Sequence, residues 1–278
     1  MQSSGNSGDN ACAGIDAADR ERLRQAAETF VDAHGIIMKV IDTVGRAVTS
    51  VGGSAAKFML DKFGVDLTPK AEGIVEDVLW RFQSMAMTGM DAEREGNPWN
   101  WFHKLVAVAS GAGAGFVGGP GLIWDLPITT GIIMRSVADI ARSFPDENLA
   151  SDDTKRACIE VFAFGGPGSD DDDADAGYWA TRAAFSHLTI ETLVRFVAAR
   201  FGVVLSEKAL AQIVPIGGLM AGAGVNYAFI DYYQQMASVH FTIRDVERRT
   251  PDPSSVKACF SQTVREVRRL RKLRRDQT

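Results

Sequence analysis

Apolar side chains recur along this chain at steps of three and four residues. Leu23, Ala26, Ala27, Phe30, Val31 and His34 fall on one face of a helix, and Ile74, Val78, Phe82 and Met85 fall on one face of another. No alternation of period two runs long enough to require a strand, so the pattern predicts an all-α protein. Thr68 followed by Pro69 marks a helix start, because a threonine hydroxyl caps free amides and proline at the first helical position gives up no hydrogen bond. Ser206 holds the equivalent place further on. Pro127, close behind Asp125, predicts a helix from about Asp125 to about Arg142, while Gly118, Gly119, Pro120 and Gly121 break whatever precedes them.

The helical pattern is written twice. Aligning 57–71 with 195–209 gives seven identities in fifteen positions, among them Phe63-Gly64-Val65 with Phe201-Gly202-Val203 and Lys70-Ala71 with Lys208-Ala209. Asp125, Asp139 and Arg142 then match Asp231, Asp245 and Arg248, with offsets of 14 and 17 from the first aspartate in both copies. Small residues precede that aspartate by 14, 10 and 7 positions in each copy: Gly111, Gly115 and Gly118, then Gly217, Ala221 and Gly224. The expected architecture is therefore an internally duplicated helical bundle with pseudo-twofold symmetry. Its halves are 19–164 and 178–250, flanked by a disordered N-terminus (1–18) and a C-terminal tail (251–278).

Two stretches carry no charge, Leu105 to Trp124 and Ala209 to Ile230. About 20 apolar residues suffice to cross a bilayer core, and Trp99, Trp101 and Trp124 sit where interfacial aromatics would. Glycines interrupt the first stretch, however, and Gln212, Pro215 and Asn226 interrupt the second, which runs straight into a charged helix at Asp231. Two buried central helices are the preferred reading, ahead of re-entrant insertion or a two-span protein. Their small residues form one narrow strip, so the helices should cross closely at Gly111, Gly115, Gly118, Gly217, Ala221 and Gly224. Gly113, Gly115 and Gly118 formally satisfy a dinucleotide-binding glycine pattern, but Gly119-Pro120-Gly121 follows where a helix must open, and the second copy lacks the motif. Nucleotide binding is not expected.

A hydrophobic content of 46% over 278 residues is enough for a large core, and a mean hydropathy of −0.04 excludes an ordinary multi-span membrane protein. Cys12, Cys158 and Cys259 lie far apart and show neither a disulfide framework nor a metal-ligand spacing, which points to a reducing compartment. The first ten residues lack the basic-then-apolar order of a signal peptide. A net charge of −5 conceals an asymmetry. Asp146-Glu147, Asp152-Asp153 and Asp170 to Asp173 are acidic, and 165–177 reads as a solvated linker of glycine, proline and aspartate. At the other end Arg265, Arg268, Arg269, Arg271, Lys272, Arg274 and Arg275 surround Phe260, Val264, Val267 and Leu270, making a basic amphipathic helix suited to an anionic bilayer. Nucleic acid is the weaker fit, because the rest of the chain is acidic and no recognition motif is present.

The second copy carries a long signature: Arg200-Phe201-Gly202-Val203 through Lys208-Ala209 to Pro215, then Asn226, Phe229, Asp231, Gln234, Ala237, His240-Phe241, Arg244 and Glu247-Arg248. With Asp125-Leu126-Pro127, Asp139-Ile140-Ala141-Arg142 and Gly177-Tyr178-Trp179-Ala180-x-Arg182, it resembles the EcsC family from about residue 20 to about residue 250. The resemblance implies a bacterial helical protein, with a namesake encoded beside an ABC transporter linked to protein export and with no agreed biochemical activity. The first eighteen residues and the tail after Pro251 lie outside it.

Candidate chemistry concentrates on one helix, Val225 to Arg248. At about 100° per residue, Asn226, Tyr233, His240 and Arg244 form one stripe and Asp231, Gln234, Ser238 and Asp245 a second. No second histidine or cysteine stands at ligand spacing from His240, and no hydrolase or metalloprotease motif occurs, so His240 is expected to be a satisfied structural histidine. Met134 occupies its place in the first copy. The structural polar positions Asp125, Asp139, Arg142, Asn226, Asp245 and Arg248 are expected to pair across the pseudo-twofold, together with Arg135 and Arg244. The expected function is a non-catalytic factor on the cytoplasmic face of the inner membrane, binding anionic lipids or a membrane protein without a cofactor or metal. The alternatives are a hydrolase using His240, Asp231 and Gln234, or a membrane-perturbing protein.

Overall fold

The three-and-four periodicity is realised as helix. The computed structural model describes residues 11–50, 67–84, 119–164, 174–199, 201 and 219–277, and among them every regular element is helical. In chain order these are α1 (Ala17–Ser50), α2 (Leu67–Ser84), α3 (Gly119–Ala141), α4 (Asp152–Val161), α5 (Ala174–Phe185), α6 (190–199), α7 (Leu219–Arg249) and α8 (Pro253–Arg275).

Local chemistry accounts for where several helices begin. Asp16 accepts the Asp19 amide at 2.8 Å just before α1. Ser151 caps α4 by accepting from the Thr154 amide at 3.1 Å, with Asp152 and Asp153 in the first turn where the positive end of the helix dipole favours acids. Asp252 caps α8 through the Ser254 amide at 3.0 Å, and Pro253 follows at the first helical position. Helix α3 starts at Gly119, six residues before the expected start near Asp125, and carries Pro127 in its interior.

Helix α7 is the centre of the fold, packing against α1, α3, α4 and α8. Its described middle is apolar on nearly every side: Phe229, Ile230, Tyr232, Tyr233, Met236, Ala237, Val239, Phe241, Ile243 and Val246 are all buried. A helix apolar all round belongs inside a protein. Helix α1 buries the stripe read from its sequence, Leu23, Ala26, Ala27 and Phe30. On α2 the buried face is Val75, Leu79 and Phe82, one position round from the expected Ile74 and Val78, because α2 packs against both α3 and α4. Among the described residues no helix is long and apolar enough to cross a membrane.

Three expectations about organisation need correction. The N-terminal segment from Ala11 is not a disordered lead-in: Ile15 is buried and Cys12 is bonded to Cys259 in α8, a disulfide across 247 residues of sequence. Spacing along the chain cannot reveal such a pair, and disulfides persist chiefly in oxidising compartments, so the inference of a reducing compartment loses its basis. The acidic stretch 165–177 ends sooner than its composition suggests, since α5 already begins at Ala174 and Asp175 is buried beside Arg268 at 3.5 Å. The tail is not an appendage either. Helix α8 packs on α1 and inserts Val256, Cys259, Phe260, Val264 and Val267 into the core.

Candidate functional site: a buried histidine between ion-paired helices

His240 lies at the middle of α7 with no exposed surface. The Tyr178 hydroxyl, on α5, stands 3.0 Å from its Nδ1. With that hydroxyl as donor, the ring proton sits on Nε2, which faces Glu160 Oε2 on α4 at 3.9 Å and has no hydrogen-bond partner among the described residues. Rings close the rest of the shell, with Phe164 at 5.0 Å and Phe241 at 5.4 Å between centroids. Burial holds the imidazole well below its ordinary pKa, and the nearby Arg182 and Arg244 push the same way. Burial also pushes the Tyr178 hydroxyl up, and it raises the Glu160 carboxyl despite the attraction of Arg156, Arg182 and Arg244. His240 is therefore a neutral, fully desolvated ring.

Ion pairs brace this centre on two sides. Arg182 on α5 makes a two-pronged bond to Glu247 on α7, at 3.0 and 2.8 Å, while its guanidinium lies 5.2 Å from the Trp179 ring centre. On the other side Glu147 accepts from Arg244 at 2.9 Å and from the Thr154 hydroxyl at 2.7 Å, and forms an ion pair with Arg248 at 2.9 Å. Asp153 adds contacts of 2.6 Å to Arg244 and 3.3 Å to Arg248. Burial works against the ionised form of Asp153, but the two guanidinium groups hold its pKa below the ordinary value. Cys158, between these layers, is wholly buried with its thiol pushed far up by desolvation, which makes it inert as a nucleophile.

A second network ties the two ends of the chain together. Asp245 receives Arg22 at 2.5 Å and Arg249 at 2.8 Å, and Asp19 receives Arg249 at 2.8 Å and Arg22 at 3.2 Å. Asp139 bonds Arg142, just past the end of its own helix, at 2.7 Å. The partners of Asp245 differ from the expected arginines across a pseudo-twofold. Asp245 instead turns to the first helix of the chain, and Arg244 and Arg248 turn to the 146–153 loop and the start of α4.

The expected residues are thus distributed as follows. His240 is buried and partnered by Tyr178, Arg244 is part-buried beside it, and Arg248 stays exposed at the rim. Gln234 donates to Ser136 on α3 at 2.8 Å and Asp231 accepts from Gln235 at 2.5 Å. Six and nine residues before His240, they project about 120° and 180° away from it around the helix, so the three do not converge on one cleft. Gly111, Gly115, Gly118 and Gly217 lie outside the described residues, as do the side chains of Asp125, Ala221, Gly224 and Asn226. Among the described residues no group of three or more His, Cys, Asp or Glu side chains is arranged to hold a metal. In the tail set, Arg268 pairs with Asp175 and Arg271 with Asp32 at 2.5 Å, and Arg265, Arg269, Lys272, Arg274 and Arg275 are exposed.

Sequence reasoning passed over Glu147, Glu160, Arg182 and Glu247 as functional positions. In the sequence Glu147 stands only as one of an acid cluster, yet its side chain is 1% exposed. A signal existed for Arg182 and Glu247, since both stand in the motifs quoted for the resemblance.

Fold and site define a class: an all-helical protein in which a central helix carries a buried histidine and the surrounding helices are braced to it by arginine–carboxylate pairs. A model of the EcsC protein family matches residues 33–246, most of the chain, and the protein belongs to that family. No curated protein and no solved structure matches it. The first turns of α1 and all of α8 lie outside the matched span.

Proposed function

We propose that the protein is a non-catalytic factor that binds the surface of an anionic membrane, with the outer face of α8 as its contact. The observation that carries this reading is the composition of that face. Leu270 and Leu273 are 50% and 49% exposed, and Arg265, Arg269, Lys272, Arg274 and Arg275 are exposed beside them on the same helix. Two bare leucines among basic side chains match the geometry of an interfacial helix, whose apolar residues enter the headgroup boundary while arginine and lysine meet lipid phosphates. Phe260, Val264 and Val267 hold the preceding turns of α8 in the core, so its exposed C-terminal turns, which carry Leu270 and Leu273, are presented by a fixed element. The non-catalytic part of the reading draws support from His240, whose only described hydrogen bond is internal and whose ring has no exposed surface.

In the same reading the chain is an internal duplication in which α3 and α7, the helices bearing the repeated Asp and Arg positions, pack together near a pseudo-twofold axis. Its station is the periphery of a membrane, where a lipid headgroup or an acidic face of a membrane protein such as a transporter would meet the same charges.

Co-sedimentation of the full chain with vesicles separates these cases. Binding to phosphatidylglycerol vesicles, weak binding to phosphatidylcholine vesicles and loss of binding as salt rises are expected, because exposed charge attractions fade over a Debye length of about 8 Å at physiological ionic strength. Equal binding to both vesicle types would refute recognition of anionic charge, and binding to neither would refute lipid as the partner.

A further inference from the structure

The Cys12–Cys259 pair occupies an unusual place. Cys259 lies on the buried face of α8, and Cys12 sits, half-buried, in the turn before α1, where Ile15 is buried and Gly14 takes a left-handed φ of 90°. The Cα atoms are 4.7 Å apart, within the range a disulfide spans without backbone movement. This bond is the only covalent tie from α8 to the rest of the fold besides its own chain connection through Thr250 and Pro251. The other contacts holding α8 among the described residues run through side chains, among them Phe260 against Phe30 and Trp179, Trp179 to Ser261, Arg268 to Asp175, and Arg271 to Asp32 and the Glu28 carbonyl. A helix held to its neighbours by side-chain contacts opens locally more readily than the core elements it covers.

The geometry points to a redox latch: the Cys12–Cys259 disulfide locks α8 onto α1, and its reduction by a dithiol frees α8 to open as a unit. The chemistry is ordinary exchange. A thiolate of the dithiol attacks the more accessible sulfur, Cys12 Sγ; the S–S bond breaks, and Cys259 departs as a thiolate that takes up a proton. The reductant's second thiol then displaces Cys12 from the mixed disulfide. Two electrons and two protons have passed to the protein, and the reductant leaves as its own disulfide. Because Cys259 is buried, its departing thiolate is poorly solvated, which makes reduction slow and gives the latch two persistent states. Opening uncovers Val256, Phe260, Val264 and Val267 beside the basic residues, so the reduced form presents far more apolar surface to a bilayer. This last step rests on the membrane reading above; the latch itself does not.

Amide hydrogen exchange on the full chain, with and without dithiothreitol and in the Cys12→Ser variant, tests the latch. Denatured oxidised protein should show one free thiol, Cys158, and reduced protein three. Amides of 256–264 should exchange at least tenfold faster in the reduced protein and in Cys12→Ser, with α3 and α7 unchanged. Three free thiols in the oxidised sample, unchanged α8 exchange after reduction, or an acceleration spread evenly over the whole core would each overturn the proposal. Vesicle binding measured in parallel should tighten on reduction. Absence of binding in both states would sink the membrane reading, while the exchange data would still decide the latch.

Discussion

Replacing Phe260 with alanine should destabilise the protein by about 4 kcal/mol, a typical cost for emptying a buried phenylalanine site. The ring has no exposed surface and sits among Phe30, Trp179 and Tyr178, with centroids at 5.7, 6.2 and 6.3 Å. Removing its apolar area costs roughly 3 kcal/mol at about 25 cal/mol per Å² once the area an alanine still buries is subtracted. The cavity left under three rings, and the lost edge-on contacts at about 0.5–1.5 kcal/mol, supply the rest. A chain of this size loses about 2–4 °C of melting temperature per kcal/mol, so thermal denaturation should fall by roughly 10 °C. Glu266→Ala, on the exposed side of the same helix, should stay within about 0.5 kcal/mol of the parent. If α8 were a solvated tail, both variants would melt with the parent; that result would refute its place in the core.

Other perturbations probe the ion-paired centre. Glu147→Gln should cost about 3 kcal/mol, because it removes the negative charge that Arg244 and Arg248 share from a site 1% exposed, whereas Asp153→Asn, touching the same arginines from a side chain 68% exposed, should cost under about 1 kcal/mol in chemical denaturation. His240 has a folded-state pKa depressed below its unfolded value, so the unfolded chain binds more protons in acid. The stability it contributes is present above about pH 6.5 and is lost as pH falls below it, by about 1.4 kcal/mol per pH unit. His240→Gln should lower stability at pH 8 and flatten that acid slope between pH 6.5 and 5; an unchanged slope would contradict a buried neutral ring. Glu160 acts with the opposite sign, its folded pKa being raised by burial, so Glu160→Gln should gain relative to the parent as pH rises above about 4.5.

Much of the helical architecture was legible, because burial imposes a period on a helix whatever its neighbours are. The faces of α1 and α8 could be read as Leu23–Phe30 and Phe260–Val267. The face of α2 was missed by one position, since two partner helices, invisible to a one-stripe reading, decide which side turns inward. The site was legible only in part. His240 stood out in the sequence, but Tyr178 and Glu160, its neighbours in the fold, come from helices 62 and 80 residues earlier, and no local rule connects them. Charge misled where burial was hidden: Glu147 and Asp175 look like solvated acids in sequence yet lie in the interior as partners of arginines. The same distance effect concealed the Cys12–Cys259 bond and made α8 look detachable.

The central claim is that α8 is at once part of the core and, on its outer side, the membrane contact. Its most direct test is the binding of Arg265→Gln/Arg269→Gln/Lys272→Gln to phosphatidylglycerol vesicles, measured beside its melting temperature. Each basic side chain near an anionic surface contributes about 1 kcal/mol, so removing three should weaken binding roughly a hundredfold, with melting within about 2 °C of the parent because all three side chains are exposed. A variant that melts like the parent and binds vesicles as tightly would contradict the claim.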